Sequence, residues 1–303
     1  TNAVFRLMEH LRGPKLGLVG PWSHKYPHQG QPGPAIGFLQ ESLRWWNRWL
    51  REDPDEDVMQ EPLLRVYVQD AAPPHTTYDE RPGRWVGEHE WPSKRIEERD
   101  FALPPVYALV PPRDTAVVSR IDEIVYPTQS PLSVGRFAGK WCSYAYAPDL
   151  PGDQREEDGG ALVFESGMLE EDLELLGQPS VELELSSSEP VEMVCVRLSD
   201  VAPDRQTTRI AYGLLNLTHR NGHAEPEPLS PGERYRVRVP LNHMAHTFRR
   251  GHAFRIALST SYFPLAWPAP KPVRLEVRTG QSVLHLPVRR LDPEAEDPEP
   301  TFA

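Results

Sequence analysis

The chain has 303 residues, enough for about two domains and a sizeable core, and its 39% hydrophobic and 25% charged residues describe a folded globular protein rather than a disordered or fibrous one. A formal net charge of −11 opposes phosphate backbones and anionic lipid surfaces, which argues against nucleic acid and membrane as partners. The 34 prolines each remove a backbone donor, so they favour turns and edge strands over a mostly helical protein.

Apolar residues at Val4, Leu7, Met8 and Leu11 follow the period of one helix face, and Gly13-Pro14 stops that helix. Lys15 to Val19 is a short apolar run that suits a strand buried on both faces in a parallel sheet. After a Gly/Pro-rich loop from Gly20 to Gly37, the segment Phe38 to Leu50 places Leu39, Leu43, Trp46 and Leu50 on one stripe, which predicts a second helix able to pack on a sheet. The charged, proline-interrupted run Arg51 to Asp57 reads as a linker, with a domain boundary near residue 58.

Beyond that point the period changes to 2. Val181, Leu183 and Leu185 alternate with Glu182 and Glu184; Tyr235, Val237 and Val239 alternate with arginines; Phe254, Ile256 and Leu258 form a third set. Further strands are expected over 63–68, 84–90, 106–110, 160–165, 191–199, 208–218, 273–278 and 283–288. So many short strands imply a two-sheet sandwich, with a jelly roll as the expected topology. Pro151 to Gly160 is expected to be a loop, and Leu291 to Ala303 an acidic, disordered tail. The expected organisation is thus a remnant of an α/β domain over 1–57, a sandwich over 58–290 and a tail over 291–303, mainly β in class.

No stretch approaches the ~20 apolar residues of a membrane span, and the amino terminus lacks the pattern of a signal peptide. Cys142 and Cys195 lie far apart in strand-like runs and read as reduced, packed thiols, which fits a cytoplasmic setting. The first residue is Thr1 rather than methionine and helix begins at once, so the chain reads as a fragment.

Chemistry concentrates in Gly20-Pro21-Trp22-Ser23-His24, directly after the apolar run 15–19. Functional groups of open α/β sheets collect at the carboxyl ends of strands, and a histidine titrating near neutrality there can act as a general base. Taken alone, one loop histidine reads more readily as structural. His219 and His223, with His243 and His246, have spacings that suit a metal, but no Cys or carboxylate pattern accompanies them. Ser186-Ser187-Ser188 reads as a strand end rather than a nucleophile. Trp22, Tyr26, Asp153, Arg155, Tyr262, Phe263 and Trp267 are candidates for an active-site wall, with a solvated loop or simple packing as the plain alternatives.

The motifs Gly13-Pro14-Lys15-Leu16, Gly20-Pro21-Trp22-Ser23-His24, Pro32-Gly33-Pro34 and Leu43-Arg44-Trp45-Trp46 carry a resemblance, continued by Arg81-Pro82-Gly83-Arg84-Trp85, Gly152-Asp153-Gln154-Arg155 and Pro264-Leu265-Ala266-Trp267-Pro268. In this order they resemble the CocE/NonD hydrolases of the X-Pro dipeptidyl-peptidase and cocaine esterase group. The resemblance implies that His24 matches the family's catalytic histidine and that residues from about 60 to 290 match its non-catalytic sandwich. It also implies a serine in a Gly-x-Ser-x-x-Gly elbow and an aspartate in a Gly-Trp-x-Asp segment, neither of which this chain contains.

The expected function is therefore part of a serine hydrolase that cleaves ester or amide bonds, acyl or X-Pro dipeptidyl, with the chain alone inactive. Its expected partners are a small ester, amide or peptide substrate and the remainder of the hydrolase domain. A homo-oligomer is compatible with this reading, and no cofactor is implied. The rival is a non-catalytic jelly-roll module that binds carbohydrate or a protein partner.

Overall fold

The computed structural model describes residues 1–52, 57–104, 108–109, 124–291, 300 and 302. The centre of the expected linker, most of the strand expected over 106–110 and most of the expected tail lie outside the described residues. The architecture is mainly β, with two facing sheets.

Helix α1 (Asn2–His10) precedes strand β1 (Gly17–Val19), and helix α2 (Phe38–Leu50) follows the Gly/Pro-rich loop. The strands after them are β2 (Leu64–Asp70), β3 (Gly83–Glu88), β4 (Ile96–Ala102), β5 (Ala108–Leu109) and β6 (Val125–Thr128). A single-turn helix α3 (Arg155–Asp158) leads into β7 (Leu162–Ser166), β8 (Leu173–Gly177), β9 (Ser180–Ser187), β10 (Met193–Val201) and β11 (Thr207–Asn216). The last four are β12 (Tyr235–Pro240), β13 (Met244–Phe248), β14 (Ala253–Ser259) and β15 (Leu275–Arg289).

The larger sheet runs β1-β2-β13-β8-β15-β9-β12, with β3 paired to β2 and β4 and β6 paired to β15; the smaller runs β11-β10-β14-β7-β5. Alternation decides which side chains meet between them. Val181, Leu183 and Leu185 of β9 are fully buried against Val194, Val196 and Leu198 of β10 and Phe254, Ile256 and Leu258 of β14 in one core. On the opposite face of β9, Glu182 meets Arg236 of β12 at 2.6 Å, so the alternating charges form a cross-strand pair at the surface.

Several strands carry no strong apolar alternation and escape the sequence patterns. Strand β4 is largely charged because it pairs with β15 beside solvent, β8 has few residues, and β13 interrupts its apolar run with His246 and Thr247. The strands expected over 273–278 and 283–288 form the single β15, its register shifting between Arg278 and Val283.

Three expectations for the first 50 residues are corrected. Helix α1 buries Phe5 and Met8 in a cluster with Leu64, Val66 and Leu176, while Leu7 and Leu11 are half exposed, so its inner face is rotated from the predicted stripe. Strand β1 is an edge, pairing in parallel with β2 through Gly17 to Leu64 and Val19 to Val66; Leu18 and Val19 are only partly buried. The stripe of α2 does not pack: Leu39, Leu43, Trp46 and Leu50 are all more than half exposed, and Leu50 reaches 73%. Instead α2 turns Glu41 inward to Arg65, at 2.7 Å, where both side chains are buried.

The outer face of the small sheet is covered as well. Every residue of β10 is buried, because Cys195, Arg197 and Ser199 point away from the core into a layer of loops. Fully buried Arg197 donates to Gln154 Oε1 at 2.9 Å and lies 3.3 Å from Glu157 and 3.0 Å from Asp158. Glu157 in turn accepts from the N–H groups of Gly135 and Phe137. The stretch expected to be a loop thus contains α3, which folds because a buried cation demands carboxylate partners.

Candidate active site around His24

His24 lies in the loop that leaves the carboxyl end of β1, and three loops hold it there. The His24 N–H donates to the Ser143 carbonyl oxygen at 2.7 Å, and the hydroxyls of Ser23 and Ser143 are 3.1 Å apart. The Trp22 indole N–H donates to the Pro34 carbonyl at 2.7 Å, closing the loop on itself, while its ring packs 5.8 Å from that of Trp85. Gly33 N–H donates to the Asp79 carbonyl and Arg81 N–H returns to the Gly33 carbonyl, joining the loop to the turn before β3.

The segment 139–150 is shaped by Asp149. Its Oδ2 accepts from the Tyr144 N–H at 2.9 Å and its Oδ1 lies 2.6 Å from Lys140 Nζ, so these partners hold the carboxyl below its ordinary range. Gly139 has φ of 69°, and a Cβ there would stand 2.6 Å from the Asp149 carbonyl oxygen, so the turn requires glycine. On this frame the His24 side chain is exposed, with the Tyr144 ring 5.0 Å away. Among the described residues no hydrogen bond reaches its imidazole.

His28, further along the same loop, is packed instead. Its ring stacks between Tyr26 and Phe38, and its Nδ1 is buried without a hydrogen-bond partner among the described residues. Tyr26 itself is 68% exposed.

The other sequence candidates divide. Asp153 and Arg155 pair with each other, Arg155 Nη2 standing 2.7 Å from Asp153, on the surface beside α3. Tyr262 is fully buried beneath the loop layer, where its hydroxyl accepts from Arg209 at 2.5 Å; it packs rather than lines a surface. Phe263 and Trp267 are exposed and touch each other, their rings 5.8 Å apart. No hydrogen bond, ion pair or ring contact joins these five to His24 among the described residues. The residues that do adjoin His24, Ser143 and Tyr144, lie in a Trp-Cys-Ser-Tyr-Ala-Tyr run whose aromatic density between Gly139 and Pro148 was the available signal.

The histidines weighed for a metal have other engagements. His246 Nε2 and His252 Nδ1 lie 2.9 and 2.7 Å from the two oxygens of buried Asp200. His219 and His223 face each other at the surface with their Nδ1 atoms 3.1 Å apart. Among the described residues, Glu98, Asp100 and His285 bring three donor atoms together, but His285 Nδ1 is taken by Asp100 at 2.7 Å. Burial pushes the Cys195 thiol up to about 12, so it stays protonated and unreactive.

The X-Pro dipeptidyl-peptidase C-terminal non-catalytic domain family matches residues 56–293. The chain belongs to this family. Cocaine esterase of Rhodococcus sp. (strain MB1 Bresler) is 28% identical over 265 residues, covering 82% of this chain and 44% of that protein. Two solved structures share the fold. A CocE/NonD family hydrolase from Staphylococcus aureus aligns with a TM-score of 0.62 at 15% identity, covering 83% of this chain and 46% of that one. An α-amino acid ester hydrolase aligns with a TM-score of 0.67 at 21% identity, covering 90% and 50%. The chain therefore spans about half the length of these hydrolases. No helix among the described residues is long and apolar enough to cross a membrane.

Proposed function

We propose that this chain is the histidine-bearing part of a serine hydrolase that cleaves ester or amide bonds, acyl or X-Pro dipeptidyl, in a small-molecule or peptide substrate. His24 is the general base: it takes the proton of a serine hydroxyl as that oxygen attacks the carbonyl, then returns it to the leaving group. The serine and the aspartate that orients the imidazole come from the remainder of the hydrolase domain. Residues 1–57 belong with that domain, and 58–290 form a jelly-roll sandwich beside it. The exposed stripe of α2, Leu39, Leu43, Trp46 and Leu50, supports a covering surface of this kind. The free Cys142 and Cys195 support a reducing, cytoplasmic setting.

The observation that carries the proposal is the contrast within one loop: the His24 backbone is pinned to Ser143 while its imidazole is exposed and unengaged among the described residues, whereas His28 is packed. The test is replacement of each in the intact hydrolase. His24→Ala is expected to lower kcat on a p-nitrophenyl ester by several orders of magnitude with KM nearly unchanged, and His28→Ala to cost far less. Retention of most of kcat by His24→Ala would sink the assignment.

A further inference from the structure

A cavity of about 220 Å³ lies behind β1, its wall completed by Val19 and Gly20 and by side chains from β2, β11 and β13. Its polar lining is Thr1, Tyr67, Gln69, Arg81, Arg209, His243 and His246, and no aspartate or glutamate contributes to it. Both guanidiniums lack an ion-pair partner among the described residues. Arg81 is only 8% exposed; its guanidinium stacks on the Tyr78 ring at 4.4 Å, and its Nε is buried without a hydrogen-bond partner. Among the described residues Arg209 meets neutral groups, the Tyr262 hydroxyl at 2.5 Å and the Tyr212 ring at 4.5 Å.

Two nearby carboxylates are already engaged. Asp200 has one oxygen on His246 and the other on His252, and Asp70 is held by Arg249 at 2.6 Å. His243 closes another side, its ring stacked 4.7 Å from Phe5 and its buried Nδ1 also unpartnered. Burial, aided by Arg6, pushes its imidazole down to about 4, so it is neutral at physiological pH and adds no charge of its own. Asp200 and Tyr78 favour the charged form of Arg81 but form no ion pair with it among the described residues, which leaves donors of its planar fork free to match an oxyanion.

We propose that this cavity is a binding site for a small oxyanion, a carboxylate or phosphate group received between Arg81 and Arg209, with His243 and His246 at its edge. The volume admits a group the size of acetate or inorganic phosphate and is below that of a pocket for a drug-sized molecule, roughly 300 Å³ or more. Binding there does not depend on the role of His24.

The test is thermal unfolding of the protein in chloride buffer, titrated at constant ionic strength with inorganic phosphate in one arm and acetate in the other. A saturable rise in Tm of several degrees is expected with at least one anion, because a ligand bound only by the folded state stabilises it. A response confined to phosphate assigns a phosphoryl group, and one confined to acetate a carboxylate. The rise should vanish in Arg81→Met and shrink in Arg209→Met, yet persist in Lys94→Ala at the exposed turn before β4. Should Arg81→Met fail to fold, the part-exposed Arg209→Met decides by itself. The proposal is overturned by no saturable rise with either anion, or by an undiminished rise in the arginine variants.

Discussion

The backbone N–H of His24 and the carbonyl oxygen of Ser143 meet at 2.7 Å, so a loop far along the chain positions the residue proposed as general base. The frame of that loop is Asp149, whose carboxylate gathers Lys140 and the Tyr144 N–H, and Gly139, whose positive φ lets the chain pass close to the Asp149 carbonyl.

Gly139→Ala should therefore lower activity through position rather than chemistry. Its Cβ would force the loop, and with it Ser143, away from His24; misplacement of about 1 Å costs on the order of a hundredfold in rate. Steady-state kinetics of the intact hydrolase should show kcat reduced ten- to a hundredfold with KM little changed. A parallel loss in KM alone would show that the loop acts on substrate rather than on His24.

Removal of Arg197 should destabilise the sandwich strongly. Its guanidinium is fully buried against Gln154, Glu157 and Asp158, and truncation would leave carboxylates buried without their cation. Arg197→Met is expected to cost about 3–5 kcal/mol in urea unfolding. A cost below about 1 kcal/mol would mean that α3 is held in place by other contacts.

Glu192 predicts a pH dependence of stability. It is 1% exposed, one oxygen accepting the Met193 N–H and the other unpartnered, and burial pushes its carboxyl up to about 8 from an ordinary 4.5. Between those values the folded state holds a proton that the unfolded chain has released. Stability is thus greatest below about 4.5 as far as this group is concerned and falls as pH rises through about 8, by on the order of a few kcal/mol. Denaturant titrations at pH 5 and pH 9 should show Glu192→Gln flattening that decline; identical slopes in parent and variant would refute it.

The chain by itself should not turn over activated esters. Ser186 and Ser187 are buried in the last residues of β9, bonded to Glu276 and to the Glu189 carbonyl oxygen. Serine labelling by a fluorophosphonate, or burst kinetics on a p-nitrophenyl ester, would contradict this.

Alternation of apolar and charged residues by itself determined β9, β12 and β14 and the two-sheet class, because burial on one face writes a period of 2 directly into a strand. Position after an apolar run, with the motif around it, singled out His24. Only the tertiary structure decided what had no local signature. Strand β4 is charged and legible only through its ladder with β15; α1 turns Phe5 rather than Leu7 inward because Leu64 and Val66 of β2 lie beneath it; β1 finds its partner in β2 rather than in a separate sheet. The polar composition of Pro151 to Gly160 reads as a surface loop, yet Arg197, about forty residues on, supplies the buried charge that makes Gln154 and Glu157 fold inward. Such long-range pairings satisfy a charge or a backbone group from a partner distant in sequence, and no periodicity in either segment records them.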